Sequence, residues 1–212
     1  MDQSISAYRS TMLETVAGKL KKNNFNVSLC TSKQEASRHI LSLVPSNDTV
    51  GIGGSMSIQE LGIADALKSR GHTIIQHTGE MSFEEGIAVR RRALTADVYM
   101  SSPNAITMTG ELVFCDGIGN RAAAMIFGPR TIIAVAGFNK IVPDERAAWE
   151  RIDYVAAPIN VRRLKLPTPC STSGTCAECA SPDRICNIGV VIWKKPKYVT
   201  YHVVLVAEEL GY

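Results

Sequence analysis

Four cysteines lie close together late in the chain, in the segment PCSTSGTCAECASPDRICN. Cys170, Cys176, Cys179 and Cys186 form the pattern C-x5-C-x2-C-x6-C. The central CxxC pair can place two thiolates on one metal ion or cluster, and the outer two cysteines can complete a four-sulfur site if the loop folds back. The same ligand set suits structural zinc and a [4Fe–4S] cluster, so the residue types alone leave both open.

The composition of the loop 167–188 favours such folding, because Pro169, Gly174 and Pro182 are turn formers. The spacing matches neither the regular ferredoxin run nor a zinc ribbon with two CxxC pairs. The N-terminal residues lack the apolar run of a signal peptide, which predicts a cytoplasmic, reducing location where structural disulfides are rare. We therefore predict a metal-binding or cluster-binding loop, with a redox dithiol or disulfide and unliganded buried cysteines as the alternatives.

A glycine-rich turn offers a second kind of chemistry, in the segment VGIGGSMSIQELG. Gly53 and Gly54 end a predicted strand, and Ser55 and Ser57 begin a predicted helix. Backbone N–H groups at a helix N-terminus bind phosphate or carboxylate, and glycines allow a ligand to approach closely. The spacing is neither that of a Rossmann motif nor that of a P-loop. A plain strand-to-helix turn with a serine N-cap is the alternative.

Two later turns have the same character. Asn120 and Arg121 follow Asp116 in CDGIGNRAAAMIFGP, and Asn139 and Lys140 follow a buried strand in VAGFNKIVPDERAAWERI. Ligands of open α/β sheets bind beyond the carboxyl ends of the strands, so we expect these turns to converge on one pocket for an anion. Taken singly, either Arg121 or Lys140 is more often a solvated surface charge.

The elements that must position these residues alternate between helix and short β-branched strand. This alternation predicts an α/β fold with a mostly parallel sheet flanked by helices. Three local predictions accompany it: a capping box at Ser32 and Glu35, one helix over IQELGIADALKSRG, and a hairpin around Thr109-Gly110 embedded in the α/β layer. The absence of repeats or low-complexity linkers favours a single domain over 1–212, with the cysteine loop as an insertion.

Composition narrows the classes of partner. The 212 residues are 45% hydrophobic and 20% charged, which suffices for one sizeable core, and the net charge is +3 with scattered positive residues. We therefore expect no nucleic-acid partner and, without a run long enough to span a bilayer, no membrane partner. A homo-oligomer is compatible with the sequence. His39, His72, His77 and His202 form no spaced pair and are predicted to be structural or surface residues, and Arg90–Arg92 are predicted to face solvent unless their helix directs one of them toward a ligand.

Three segments together resemble the LUD-domain family, the group of lactate-utilisation protein C. These are GIGGSMSIQELGI, SSPNAITMTGELVFCDGIGNRAAAMIFGP and AVAGFNKIVPDERAAWERI, and the resemblance runs from about residue 11 to residue 158 and recurs in HVVLVAEELGY. It implies the isomerase-like α/β fold of ribose-5-phosphate isomerase and the CoA transferases, whose members bind phosphorylated or carboxylated small molecules at glycine-rich strand ends. Some LUD proteins belong to a system that oxidises lactate to pyruvate beside iron–sulfur partner proteins.

The resemblance also implies a set of ligand-facing positions. They are Gly53, Gly54, Ser55, Ser57, Asn104, Asp116, Asn120, Arg121, Asn139 and Lys140. It transfers no catalytic role to any residue, so the catalytic residues are unassigned. The cysteine loop departs from the plain lactate-utilisation subunit, which puts a lactate-specific role in doubt.

Two functional expectations follow. The first is an enzyme or enzyme subunit, an oxidoreductase, lyase or isomerase, that binds a small hydroxy- or oxo-acid or a phosphorylated anion. It would use a cysteine-ligated [4Fe–4S] cluster for redox or Lewis-acid chemistry, a choice that the resemblance favours over zinc. The second is a non-catalytic subunit whose loop binds structural zinc and docks an iron–sulfur partner protein. A ligand-sensing domain is a third, which would bind without turnover.

Overall fold

The computed structural model describes residues 3–212. Its helices are α1 Gln3–Lys22, α2 Lys33–Ser42, α3 Met56–Glu60, α4 Ile63–Ser69, α5 Phe83–Ala93, α6 Asn120–Ile126, α7 Glu145–Arg151, α8 Ala157–Arg163 and α9 Pro169–Ser173. Its strands are β1 Asn26–Cys30, β2 Val50–Ile52, β3 Ile74–Ile75, β4 Val98–Ser101, β5 Ala105–Thr107, β6 Leu112–Asp116, β7 Thr131–Gly137, β8 Ile141–Val142, β9 Ile188–Ile192 and β10 Thr200–Val206. A 3-10 turn, Phe138–Lys140, follows β7, and a π-helical turn, Ile152–Ala156, joins α7 to α8.

The large sheet has six parallel strands in the order β1-β10-β7-β4-β2-β3. Successive residues of β7 face opposite sides, so Ile132 packs into a core with α1 and α6, while Ile133 packs into a second core with α2 and α4. A strand buried on both faces is expected to be apolar, as β7 is after its first residue, Thr131. The prediction of an α/β fold with a mostly parallel, helix-flanked sheet is confirmed.

The hairpin of β5 and β6 is not embedded in that layer, as the sequence had indicated, but belongs to a separate four-stranded sheet in the order β8-β5-β6-β9. β6 pairs antiparallel with both β5 and β9, so its backbone groups are satisfied without the large sheet. Ile106, Leu112 and Phe114 of this small sheet enter the same core as Ile132. The two sheets therefore share apolar packing.

Two local predictions also need correction. The segment predicted as one helix divides into α3 and α4, because the chain turns at Gly62, whose φ of 64° is left-handed. At α2, Ser32 Oγ accepts from Glu35 N at 3.2 Å as expected. The Glu35 carboxylate, however, accepts from Thr31 N at 2.7 Å, so the reciprocal half of the capping box is displaced by one residue.

The cysteine loop begins with α9 and runs to the start of β9, along the end of the small sheet. Two backbone hydrogen bonds fasten it: Cys176 N donates to Asp153 O, and Asn187 N donates to Asp116 O, both at 3.0 Å. Ile185 lies against Gly117, where an added Cβ would come within 3.1 Å of the Ile185 Cα. Within residues 3–212, every helix is too short or too polar to cross a membrane.

Candidate functional site

A cavity of about 250 Å³ opens where β2, β4 and β7 end. The turns after these strands supply its walls, the small sheet and α8 supply the opposite side, and Ile185 of the cysteine loop reaches its edge. This is the position at which ligands bind in open α/β sheets. The cavity thus lies between the two sheets and beside the cysteine loop.

The structure brings most of the predicted ligand-facing residues to this cavity. Those lining it are Gly54, Ser55, Asn104, Asp116, Asn120, Arg121 and Lys140. Gly53, Ser57 and Asn139 do not line it and serve its walls instead. A Cβ at Gly53 would lie 2.8 Å from Tyr99 Oη, Ser57 contacts Lys140, and Asn139 holds the last residues through Nδ2 to Gly211 O at 2.8 Å.

Most hydrogen-bond donors of Arg121 are used within the protein. Its guanidinium pairs with Asp116, at 2.5 Å from Nη2 to Oδ1, and donates through Nη2 to Asn104 Oδ1 and Cys115 O at 2.7 Å each. Nη1 donates to Ser102 O at 3.1 Å. Asp116 also accepts from the backbone N of Ala122 at 2.6 Å, at the start of α6. Arg121 therefore stabilises the small sheet against α6, and little of its donor capacity is left for a ligand.

Three further basic side chains face the cavity. Arg90, His77 and Arg163 all line it, whereas Asp116 is the one acid among its lining residues and already pairs with Arg121. Within the described part of the chain, Arg90 has no carboxylate partner, and Arg163 donates to the neutral Asn160 Oδ1 at 2.8 Å. Uncompensated positive charge converging on a cleft attracts an anion.

The pKa of His77 shows the effect of the charges around the cavity. Burial, reinforced by the positive charges of Arg90 and Arg163, holds the pKa of its imidazole below the ordinary value. The pKa of Arg90 is also lowered by burial. Both shifts show that burial at the cavity disfavours positive charge, and at His77 the neighbouring guanidinium groups add to this effect.

Sequence reasoning missed His77 and Arg163 and left the inward-facing member of Arg90–Arg92 undecided. It also missed Asn160 and Tyr212, which line the cavity and bond to each other, with Tyr212 Oη donating to Asn160 Oδ1 at 3.2 Å. All of these residues lie outside the glycine-rich turns. His77 follows the short strand β3, Arg90 lies on α5, Asn160 and Arg163 lie on α8, and Tyr212 is the last residue of the chain. Helical periodicity on α5 could have singled out Arg90, but nothing local marks the others.

Lys140 occupies the deepest position. Its side chain is 3% exposed, and Nζ donates to Ser57 Oγ at 3.0 Å and to Ser102 Oγ at 2.8 Å. Burial, helped by the charges of Arg151 and Arg121, lowers the pKa of the Lys140 amine well below its ordinary value. A lysine in this setting holds its proton weakly.

The cysteine loop is organised around Arg184. Its Nη1 donates to Cys179 O at 2.8 Å, and its Nη2 donates to Cys186 O at 2.9 Å and lies 3.5 Å from Cys186 Sγ. The contact with Cys186, followed by the electrostatic influence of Cys179 and Cys176, raises the pKa of Arg184. Arg184 thus binds the loop itself.

Two thiols of this region, Cys115 and Cys176, have a raised pKa. Burial, with a smaller effect from Cys186, raises the pKa of Cys115 to about 12. Burial and the Asp153 carboxylate raise the pKa of Cys176. A metal or cluster binds thiolates, so loading would have to displace these protons.

The donor chemistry of the four loop cysteines suits a thiophilic ion or cluster, but their arrangement does not form a ready coordination shell. Cys176, Cys179 and Cys186 interact electrostatically with Arg184, whereas the Cys170 Sγ lies 3.4 Å from Thr168 Oγ1 at α9. Among residues 3–212, no three His, Cys, Asp or Glu side chains are close enough to hold one ion. Ligation by all four cysteines would require the loop to rearrange.

The fold and site define an α/β protein with a pocket at the carboxyl ends of parallel strands. The model of the LUD domain matches residues 13–206, and the chain belongs to this family. A DUF162 family protein from Deinococcus radiodurans has a similar structure, with a TM-score of 0.56 at 15% identity, covering 93% of this chain and 98% of that chain. At this identity the likeness shows the fold alone.

Two further solved structures are more distant. The eIF2B delta subunit from Chaetomium thermophilum matches with a TM-score of 0.36 and 14% identity over 55% of this chain and 53% of that chain. The tetrameric eIF2B-beta2-delta2 complex from C. thermophilum matches with a TM-score of 0.40 and 14% identity, covering 81% of this chain and 54% of that chain. A comparison with curated protein sequences found no significant match.

Proposed function

We propose that the pocket binds a small anion, a hydroxy- or oxo-acid or a phosphorylated compound. The observation that carries this proposal is the charge imbalance of the pocket, where the guanidinium groups of Arg90 and Arg163 face a cavity whose single acid is neutralised by Arg121, with the basic side chains of His77 and Lys140 beside them. A carboxylate or phosphate would supply the missing charge and accept hydrogen bonds from these groups. Gly54 and Ser55, where β2 gives way to α3, allow close approach of the ligand.

Calorimetric titration with inorganic phosphate and with pyruvate tests this proposal. Arg90→Gln should weaken binding about tenfold or more, since a hydrogen bond to a charged group contributes roughly 1.5–3 kcal/mol. Arg91→Gln is the matched control, because it removes the same charge one position along α5 at an exposed residue outside the pocket.

Equal losses in the Arg90 and Arg91 variants would show a general charge effect and contradict a specific site. Binding of neither probe to the unmodified protein would contradict the proposal outright. Loss in the Arg90 variant alone supports it.

The second part of the proposal concerns the loop 167–188. We propose that Cys170, Cys176, Cys179 and Cys186 ligate a [4Fe–4S] cluster beside the pocket, where it would supply redox or Lewis-acid chemistry when bound. Ile185 lines the cavity, so the loop borders the space that a ligand would occupy. The protein's own contribution is to seat the anion and to hold the loop through Arg184.

Structural zinc is the second candidate for this loop, with an iron–sulfur protein of a lactate-oxidising system as the docking partner. The role of Arg184 favours it: the guanidinium ties Cys179 and Cys186 through their carbonyls, which is a contribution to loop shape. A four-thiolate zinc site contributes to folding in the same way.

Anaerobic purification followed by analysis of iron, sulfide and zinc distinguishes the two. A cluster predicts a brown protein with about four iron atoms per chain, and zinc predicts a colourless one with about one zinc. Cys176→Ser should lose the metal, whereas Cys30→Ser should keep it, because Cys30 lies in the core of the large sheet. A protein that contains neither iron nor zinc would contradict both the cluster proposal and the zinc proposal, and it would leave the proposed anion site unaffected.

A further inference from the structure

Lys140 has an unusual set of neighbours for a lysine. It ends the 3-10 turn that follows β7, the strand between β10 and β4 in the large sheet, and is buried beneath the cavity that it lines. Among the described residues it forms no ion pair. The acid that influences it, Glu60, is already engaged by Lys33 Nζ at 2.9 Å and by Gly211 N at 3.1 Å.

The two hydroxyls that Lys140 contacts are oriented by the backbone. Ser57 Oγ donates its own hydrogen to Leu210 O, and Ser102 Oγ donates its hydrogen to Pro103 O, both at 3.1 Å. Each hydroxyl oxygen therefore presents a lone pair to Nζ and accepts from it. Two N–H groups of Lys140 are satisfied in this way.

This arrangement matches a neutral amine. A neutral amine has two N–H groups and one lone pair, whereas an ammonium has three N–H groups and no lone pair. With two acceptors supplied by Ser57 and Ser102, a third N–H would have no acceptor among residues 3–212 and would be left to the cavity that Lys140 lines. The lone pair of the neutral form is left free, and an uncharged lysine beside other cations is the activated state of an amine nucleophile.

We propose that Lys140 forms a Schiff base with the carbonyl group of an anionic oxo compound held in the pocket. This inference rests on the proposed anion site and names its ligand class, because the cations at the rim would hold the carboxylate or phosphate while the amine meets the carbonyl carbon. A hydroxy-acid or a simple anion offers no such carbon to Lys140. The pocket would thereby distinguish oxo compounds from other anions of the same charge.

The step balances without an oxidant or reductant. The Nζ lone pair forms a bond to the carbonyl carbon while the C=O π pair moves to oxygen, and one N–H proton transfers to that oxygen to give the carbinolamine. The hydroxyl group takes up a second proton from solvent and leaves as water, and the nitrogen lone pair closes the C=N bond of a protonated imine. Ser102 Oγ, 2.8 Å from Nζ, holds the amine in place by accepting one of its N–H groups.

Reductive trapping tests this inference. The protein is incubated near neutral pH with pyruvate and cyanoborohydride, digested and mapped by mass spectrometry. The expected adduct has the mass of pyruvate less one water plus two hydrogens, and it lies on Lys140. Each unit by which the Lys140 pKa is lowered increases the free-amine fraction about tenfold relative to a surface lysine, so modification of Lys140 should exceed that of Lys19 by at least this factor.

Two controls make the result specific. Sulfate carries charge but no carbonyl, so excess sulfate should suppress the adduct by competing for the pocket. Lys140→Met should show no adduct at this position and should keep the circular dichroism spectrum of the unmodified protein. If that variant does not fold, the peptide map of the unmodified protein still locates the adduct.

The remaining outcomes separate the two proposals. Pyruvate that binds by calorimetry but leaves Lys140 unmodified, or modifies surface lysines equally, overturns the Schiff base and leaves the anion site intact. Failure of phosphate and pyruvate to bind at all overturns the anion site, and the Schiff base with it.

Discussion

The pKa of His77 responds to the charges in the pocket and can therefore be used to detect a bound anion. Its pKa is held below the ordinary value by burial, by Arg90 and by Arg163. A bound anion opposes the last two effects and stabilises the imidazolium, so the pKa is higher in the complex than in the free protein. Binding is then accompanied by proton uptake.

The sign of the pH dependence follows from this difference. The gain in affinity is complete below the pKa of the free protein, which lies under about 6.5, and is lost as pH rises through the higher pKa of the complex. Calorimetry with sulfate between pH 8 and pH 5 measures it, because sulfate does not change its own charge in this range. His77→Gln should flatten the profile.

His72→Gln is the matched control for that experiment, since His72 lies outside the pocket and its Nδ1 contacts Asp48 O at 3.2 Å. It should retain the full pH dependence. A profile that stays unchanged in the His77 variant would exclude this imidazole from the ligand site.

At the scale of elements, α5 is the helix that carries Arg90 to the pocket. Its first turn has a complete capping box: Glu85 N donates to Ser82 Oγ at 3.2 Å, and Ser82 N donates to Glu85 Oε2 at 2.8 Å. The box satisfies two backbone N–H groups that a helix start leaves without intrahelical partners. The position of Arg90 therefore depends on a cap two turns away.

Ser82→Ala should lower the free energy of unfolding by about 1 kcal/mol, the usual cost of losing an N-cap hydroxyl. Urea denaturation measures this change. Ser82→Thr retains the hydroxyl and should stay close to the unmodified protein. Phosphate affinity should fall less in the Ser82→Ala variant than in Arg90→Gln, because α5 stays folded and only its end frays. A larger loss of affinity in the cap variant would mean that the position of α5 depends on this cap more than the packing indicates.

At the scale of the whole molecule, both sheets contribute to one core. Phe114 of the small sheet and Ile132 of the large sheet belong to the same cluster of buried side chains, and Arg121 joins β6 to the turn after β4 through Asp116 and Ser102 O. Two sheets that share a core are expected to unfold together. The pocket between them should then disappear in that same transition.

We therefore predict one cooperative unfolding transition, with near-ultraviolet and far-ultraviolet circular dichroism changing at the same temperature. A ligand of the folded state should raise that temperature, with about 2.7 kcal/mol of stabilisation at a concentration 100 times the dissociation constant. Pyruvate or phosphate can be used for this measurement. Two separate transitions would contradict the single domain predicted from the sequence.

Several features of this protein are determined by local sequence. The alternation of helical and β-branched segments predicted the parallel α/β layer, the glycine-rich turns predicted where a pocket would form, and the cysteine spacing predicted a loop with metal-binding chemistry. The fold confirmed the parallel α/β layer. The turns meet as expected, and the metal chemistry of the loop stays a prediction. Each depends on residues close together in the chain, which is why pattern alone reveals it.

The tertiary structure decided which of these residues are available for chemistry. Arg121 looked free in the sequence, but it is occupied by partners such as Asn104, 17 positions away. Lys140 was predicted to face a ligand, with a solvated surface charge as the alternative, and it is buried against Ser57, 83 positions away. The chain turns that bring these groups together also set their hydrogen bonds and their burial. Because a side chain's charge state depends on such distant neighbours, only the folded chain shows that Arg121 supports the pocket and that Lys140 can act in it.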